Sequence, residues 1–361
     1  TAEAVFLPTM SEEEIIKIIG EYDALMVRSQ TKVNRNIIEA GKKLKIIGRA
    51  GVGVDNIDVN AATEKGIIVV NSPDGNTIAA SEHTIALMLA ISRNIVPASQ
   101  STKEGKWNRD AFTGTELLGV MGFGRIGRKV VNIALSIGMK VIVYDPFANE
   151  ETVNKACALY ETSLDNFLKT LDYLSIHIPK TSDTINIINK ENMNKMKKGA
   201  IIINCSRGEL VDNESIIQAC ESGKVNRYVT DFPATELLNR KNIICTPHLG
   251  ASTAEAEDNC AIMAAKQIVN FVEKGNIVNS VNYPAVHLDA KGAQRVVVLF
   301  KGDESTGEEA QKILAPFKVV GFVVKTKKAF GAALFNLNVK ADESALQKLK
   351  GINGVTRVLA L

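Results

Sequence analysis

The sequence predicts an α/β protein, with two doubly wound parallel-sheet lobes followed by a small α+β domain. Three observations carry that expectation. Short apolar runs without polar alternation recur between amphipathic stretches, as in strands buried on both faces of a parallel sheet. A glycine-rich turn stands between one such run and a helix. The C-terminal tail then changes rhythm to strand, helix, two strands, helix, strand.

From Ala2 to about Val70 the segments are "AEAVFL", "SEEEIIKIIGEY", "ALMVRS", "NRNIIEAGKKL", "KIIGRAGVG", "AATEKG" and "IIVVNS". They read as apolar runs alternating with helices, and Ser11 with Glu14 forms a capping box. From Ala79, "AASEHTIALMLAISRNI" is a long, largely apolar helix. A second series of strands runs from Leu118 to His248, near "LGVMG", "KVIVYD", "YLSIHI", "AIIINCS", "YVTDF" and "NIICTP". Residues 253–274 form another long helix, and "GNIVNSVNYP" marks a domain exit. The tail reads "RVVVLFK", "TGEEAQKILAPF", "VVGFVVKT", "GAALFNLNV", "ESALQKLKG" and "VTRVLAL". The expected domains are 1–76 with 253–284, then 77–252, then 285–361.

With 361 residues, of which 45% are apolar and 23% charged, the chain has room for more than one core. A net charge of +3 gives no ground for nucleic acid or an anionic membrane as partner. The five cysteines are odd in number and lack CxxC spacing, which points to free thiols in a reducing, cytoplasmic compartment and to no metal site. No apolar run approaches the roughly 20 residues of a membrane helix. The chain begins at Thr1 without methionine, so a processed or trimmed product is expected.

Gly122, Gly124 and Gly127 form GxGxxG between the strand "LGVMG" and a helix, and a second strand ends in Asp145. In that context the glycines allow a tight turn, close approach to a pyrophosphate and close helix packing. The helix N-terminus supplies positive dipole, as in a Rossmann unit. An acid about 20 residues on bonds a ribose 2′-hydroxyl, and its carboxylate repels a 2′-phosphate, so NAD is favoured over NADP.

His248 in "CTPHLGAST" ends an apolar run, where a histidine packs poorly but moves a proton well near neutral pH. Hydride transfer to nicotinamide leaves a hydroxyl proton to be carried, and a histidine can carry it both ways. Asp231 and Glu236 in "TDFPATELL" are carboxylates that could fix its tautomer. Arg207 in "NCSRGELVD" follows the strand "AIIIN" at the sheet edge where open α/β folds bind ligands, and could grip a carboxylate bidentately.

"GRAGVGVDNID", "MGFGRIG…YDP", "NCSRGELVD" and "CTPHLGAST" together resemble the D-isomer-specific 2-hydroxyacid dehydrogenases over about Glu12 to Pro284. "VRSQTKV", "NSPDGNTIAASEHT" and the appended tail resemble the phosphoglycerate branch, whose tail is an ACT-like regulatory module. The resemblance implies His248 as acid/base, Glu236 as its partner and Arg207 on the substrate. It implies a cofactor site of Gly122, Gly124, Arg125, Ile126, Gly127, Asp145, His177, Pro179, Cys205, Asp231 and Gly250. Asp231 would meet the nicotinamide carboxamide, and His177 and Pro179 would wall the adenine, with a purely structural role equally open for His177.

Arg28, Arg49, Val52, Gly53 and Asn76 would bind substrate, with Lys32 and Arg109 as further cations for a phosphate. The implied activity is NAD-dependent oxidation of 3-phospho-D-glycerate to 3-phosphohydroxypyruvate in serine biosynthesis, by a homodimer or homotetramer. The alternatives are a glyoxylate or hydroxypyruvate reductase, or an NAD-sensing corepressor-like protein.

Three departures from the family pattern stand out. "GTELLGVMG" lacks the short turn usual before the glycine-loop strand, the Glu236–His248 loop is several residues shorter, and the first strand and helix of the outer lobe are not visible. The tail also lacks the Asn and Pro-Gly pattern of serine-binding modules.

Overall fold

A computed structural model describes residues 3–107 and 117–361. They gather into two compact units, Thr1–Gly75 with Glu257–Leu361, and Asn76–Ala256. Arg109 and the first three residues of "GTELLGVMG" lie outside the described residues.

The first unit opens with three parallel strands, β1 (Ala24–Val27), β2 (Ile46–Arg49) and β3 (Ile68–Val70), in the order β1-β2-β3. Ile46, Ile47, Ile68 and Val69 are fully buried, as their uninterrupted apolar run requires. The helix Glu12–Ile18 begins at the expected capping box, with Ser11 and Glu14 bonding each other's backbone N–H. "AEAVFL" departs from expectation. Its described residues form no strand, and Phe6 is 95% exposed. Among the described residues β1 pairs only with β2, so the run has no ladder to join.

The second unit holds a seven-stranded parallel sheet: β4 (Leu117–Met121), β5 (Lys140–Tyr144), β6 (Leu159–Tyr160), β7 (Tyr173–Ile176), β8 (Ala200–Asn204), β9 (Val225–Thr230) and β10 (Ile243–Cys245). The spatial order is β10-β9-β8-β7-β4-β5-β6, so the winding reverses between β4 and β7. That reversal opens a crevice at the carboxyl ends of the strands, where such sheets bind ligands. The apolar helix is two elements, Thr77–Ser92 and Ile95–Lys103, because Asn94 adopts a left-handed conformation at φ 51°. The first packs on the glycine-loop helix Arg125–Ser136, where the Ser81 hydroxyl reaches the Ile126 carbonyl at 3.4 Å.

The tail forms an antiparallel sheet of β11 (Gln294–Lys301), β12 (Val319–Lys327), β13 (Phe330–Leu337) and β14 (Val355–Ala360), in the order β12-β13-β11-β14. One face, with Val296, Val298, Phe300 and Phe335, is buried with apolar residues of the helices Glu304–Leu314 and Glu343–Lys350. The other face, with Val297, Leu299 and Leu334, shares a core with Ile46, Ile68, Val70 and Phe271 of the outer lobe. Buried Arg295 ties the two together, donating to Asn336 Oδ1 (3.0 Å), the Leu288 carbonyl (2.7 Å) and the Lys274 carbonyl. The tail expected as an independent domain is thus continuous with the outer lobe.

Candidate active site

The glycine turn follows β4. Gly122 sits at φ 97°, and a Cβ there would lie 2.5 Å from the His177 carbonyl oxygen, so only glycine fits. A Cβ at Gly127 would lie 2.0 Å from the Gly122 carbonyl oxygen, which fixes how closely the helix approaches the turn. A Cβ at Gly124 would meet nothing within 4 Å, leaving open space before the helix N-terminus at Arg125 and Ile126. Asp145, just past β5, accepts from Phe123 N–H (2.7 Å) and Phe147 N–H (2.8 Å), one on each oxygen. A carboxylate offers about four lone-pair sites, so ribose hydroxyls still find acceptors. These residues fit a dinucleotide.

His177, one residue past β7, pairs Nε2 with the Ser175 hydroxyl at 2.8 Å. Burial pushes its imidazole down to about 4, so it is neutral at pH 7. Pro179 follows in the same loop, its carbonyl accepting from Thr184 (2.7 Å). Cys205 ends β8, and burial pushes its thiol up to about 12, which makes it a neutral wall rather than a nucleophile.

Arg207 is shaped by a residue not singled out in the sequence. Fully buried Asn204 donates to the Arg207 carbonyl (2.8 Å) and accepts from Ser206 N–H (3.1 Å), turning the chain sharply after the strand. Ser206 closes the turn through its hydroxyl on the Ile178 carbonyl at 2.6 Å.

His248 has φ 58°, a left-handed conformation that costs a non-glycine residue of order 1–3 kcal/mol. The carboxylate that offsets the cost is Asp231, 1% exposed, at the end of β9. Its Oδ1 accepts from the Thr246 hydroxyl (2.6 Å) and Leu249 N–H (2.8 Å), and its Oδ2 from Gly250 N–H (2.7 Å). The loop carrying His248 is therefore clasped on both sides of the histidine. Burial alone would raise the Asp231 pKa, but the bonds from His83, Thr246, Leu249 and Gly250 outweigh it and hold the carboxyl below its ordinary value. The His248 ring leans on Phe232, with centroids 4.7 Å apart.

Glu236 sits exposed in the short turn Thr235–Leu237, and its carboxylate accepts from Asn213 Nδ2 at 2.8 Å. Its own backbone N–H and Asn213 hold its carboxyl below the usual range. The structure thus pairs Glu236 with Asn213 and brings Asp231 to the His248 loop.

In the other unit, Arg49 ends β2 and the backbone of Val52 and Gly53 follows. That loop is held by amides: Asn71 Nδ2 donates to the Val52 carbonyl (2.6 Å), and Ser72 N–H to the Gly51 carbonyl (2.8 Å). Gln267 in turn donates to the Asn71 carbonyl at 3.0 Å. Arg28 is engaged bidentately by Glu257, at 2.6 and 3.1 Å. At the start of the helix Thr77–Ser92, Asn76 Oδ1 and Thr77 Oγ1 are buried without a hydrogen-bond partner, the state of groups that await a polar ligand.

Residues 85–250 match the family model "D-isomer specific 2-hydroxyacid dehydrogenase, NAD binding domain". The hydroxypyruvate reductase of Thermotoga maritima is 45% identical over 279 residues, covering 74% of this chain and 89% of that protein. The chain belongs to the D-isomer-specific 2-hydroxyacid dehydrogenase family. Its cofactor is NAD.

The D-3-phosphoglycerate dehydrogenase of Synechocystis is 49% identical over 291 residues, covering 78% of this chain and 52% of that protein. The chain spans about half the length of the phosphoglycerate dehydrogenases it matches. Among solved structures, D-lactate dehydrogenase from Aquifex aeolicus, complexed with NAD and lactic acid, superposes with a TM-score of 0.67 at 28% identity. The match covers 75% of this chain and 90% of that one. No helix among the described residues of this dehydrogenase-family chain is long and apolar enough to cross a membrane.

Proposed function

We propose that the chain oxidises 3-phospho-D-glycerate to 3-phosphohydroxypyruvate with NAD, the entry to serine biosynthesis, with His248 as acid/base. The observation that carries this reading is the Asp231 clasp. It holds a strained histidine at the same sheet edge as the glycine turn and Arg207.

When bound, NAD takes up the hydride from the hydroxyl carbon. His248 removes the hydroxyl proton during oxidation and returns it during reduction. Arg207 grips the substrate carboxylate and polarises the developing carbonyl oxygen. Arg49 and the Val52–Gly53 backbone supply further donors. Arg28 suits the phosphate, since Glu257 already shows its fork taking an oxyanion on two nitrogens.

Exposed Ile78 (61%), Ile95 (53%) and Val96 (58%) favour a homodimer through these helices, or a tetramer. Five free cysteines suit a cytoplasmic compartment.

Hydroxypyruvate reduction is the second reading, favoured by the 89% of the Thermotoga maritima enzyme that the chain covers. The deciding experiment is NADH oxidation with 3-phosphohydroxypyruvate beside hydroxypyruvate, pyruvate and glyoxylate. A clear preference for the phosphorylated acid is expected. Equal or faster turnover of hydroxypyruvate would install the second reading. No turnover with NADH bound would make the chain a dinucleotide-binding protein.

A further inference from the structure

We infer that His83 is a positioning residue for the acid/base histidine, acting through Asp231; the inference rests on the reading of His248 as proton carrier.

Three of the donors to Asp231 come from the loop it clasps, namely Thr246, Leu249 and Gly250. They fix the loop relative to the carboxylate but say nothing of where the carboxylate itself stands. A further contact comes from another element. His83, on the helix Thr77–Ser92, puts Nε2 3.4 Å from Asp231 Oδ1.

That nitrogen is sealed from solvent and, at 3.4 Å from Asp231 Oδ1, falls short of a well-aligned hydrogen bond, so the contact is a close electrostatic approach that the ring makes with the proton on Nε2. Gly250 completes the contact. A Cβ there would lie 3.1 Å from Asp231 Oδ2 and 3.9 Å from His83 Cδ2, so the loop seats directly against both groups.

His83 therefore anchors the clasp to the helix that begins at Asn76 and packs on the glycine-loop helix. Through it, the proton carrier and the start of the cofactor-side helix keep a common frame. A catalytic group displaced by about 1 Å can lose on the order of 100-fold in rate. Such a loss falls on turnover while leaving cofactor affinity alone.

The test compares His83→Leu, which removes the donor, with His83→Gln, whose amide can reach where Nε2 stands. Turnover is measured on the fastest keto acid of the panel, and NADH affinity by fluorescence. His83→Leu should lower kcat about 10- to 100-fold, with NADH affinity and Tm near those of the parent, and His83→Gln should recover most of the loss. On a His248→Ala background the Leu substitution should cost nothing further, because both changes then act on one unit.

Unchanged kcat in His83→Leu would overturn the inference, as would failure of Gln to rescue at matched Tm. An undiminished penalty on the His248→Ala background would overturn it too. If His83→Leu melts early, His83→Phe, which also lacks the donor, takes its place under the same criteria. High activity in His248→Ala alone would instead remove the reading beneath it.

Discussion

Two loops of this chain, one in each unit, are fastened by opposite chemistry. After β2, the Gly51–Val52 backbone is held by neutral groups, the Asn71 amide and the Ser72 N–H. After β10, the His248 loop is held by one buried carboxylate, with donors on both sides of a strained residue. The difference follows from the work each loop does. A loop that offers backbone donors to an anion needs only a fixed shape, and neutral bonds supply it at any pH. A loop that presents a proton carrier in a left-handed conformation must overcome strain, and hydrogen bonds to a charge are roughly twice as strong.

The largest contrast comes from the residue the charged clasp presents. His248→Ala should lower kcat about 10²- to 10⁴-fold, the usual weight of general acid–base catalysis, while NADH titration shows affinity retained. Breaking the clasp itself comes next. Asp231→Asn keeps the size but removes the charge, and hydrogen bonds to charged groups are worth about 1.5–3 kcal/mol each, so both kcat and unfolding free energy should fall.

The pH dependence of that second variant separates the two clasps. Because Asp231 lies below its ordinary value of 3.8 in the fold, its contribution is fully present above that value and lost as pH falls through the lowered one. Denaturant melts of parent and Asp231→Asn should therefore run parallel near neutrality and converge in acid. A gap that persists unchanged into strong acid would mean that the clasp does not work by charge.

Asn71→Ala removes a neutral bond worth about 1 kcal/mol. Substrate KM should rise roughly five-fold, kcat should hold, and no new pH dependence should appear. The smallest effect belongs to Glu257→Gln, which releases an exposed arginine. Its Tm should not move, and KM for a phosphorylated substrate should fall relative to that for hydroxypyruvate. A KM that rises for both would place Arg28 outside phosphate recognition.

Much of this was legible from the chain. Periodicity gave the buried parallel strands, and the glycine spacing with Asp145 gave the cofactor turn, because both depend on local sequence. Residues that act through tertiary contact were not legible. Asn204, Asn71 and His83 look like ordinary polar residues until the fold brings a carbonyl or a carboxylate to them. Asp231 is legible as a cofactor contact or as a carboxylate behind His248, but not as a clasp on the loop. The donors that make it a clasp lie 15 to 19 positions further on, across a strand crossover.

The expectation for Glu236 came from the resemblance, and the fold adds Asn213, a side chain 23 positions upstream, as a donor to its carboxylate. The break at Asn94 had a faint signal, since an asparagine tolerates the left-handed region and Pro97 suits the first turn of the next helix.

The core shared by β2, β3 and the tail sheet has a consequence for how the protein is made. Ile46 and Val70 are covered by Val297 and Leu334, and all of residues 76–256 are synthesised between the two sets. At ~5–20 residues per second, ribosomal synthesis leaves the first sheet uncovered for roughly 10–50 s. The dinucleotide-binding unit, continuous in sequence, can close before the unit that started first. Birth order and order of closure need not coincide, since the first strands wait for the last to complete their core.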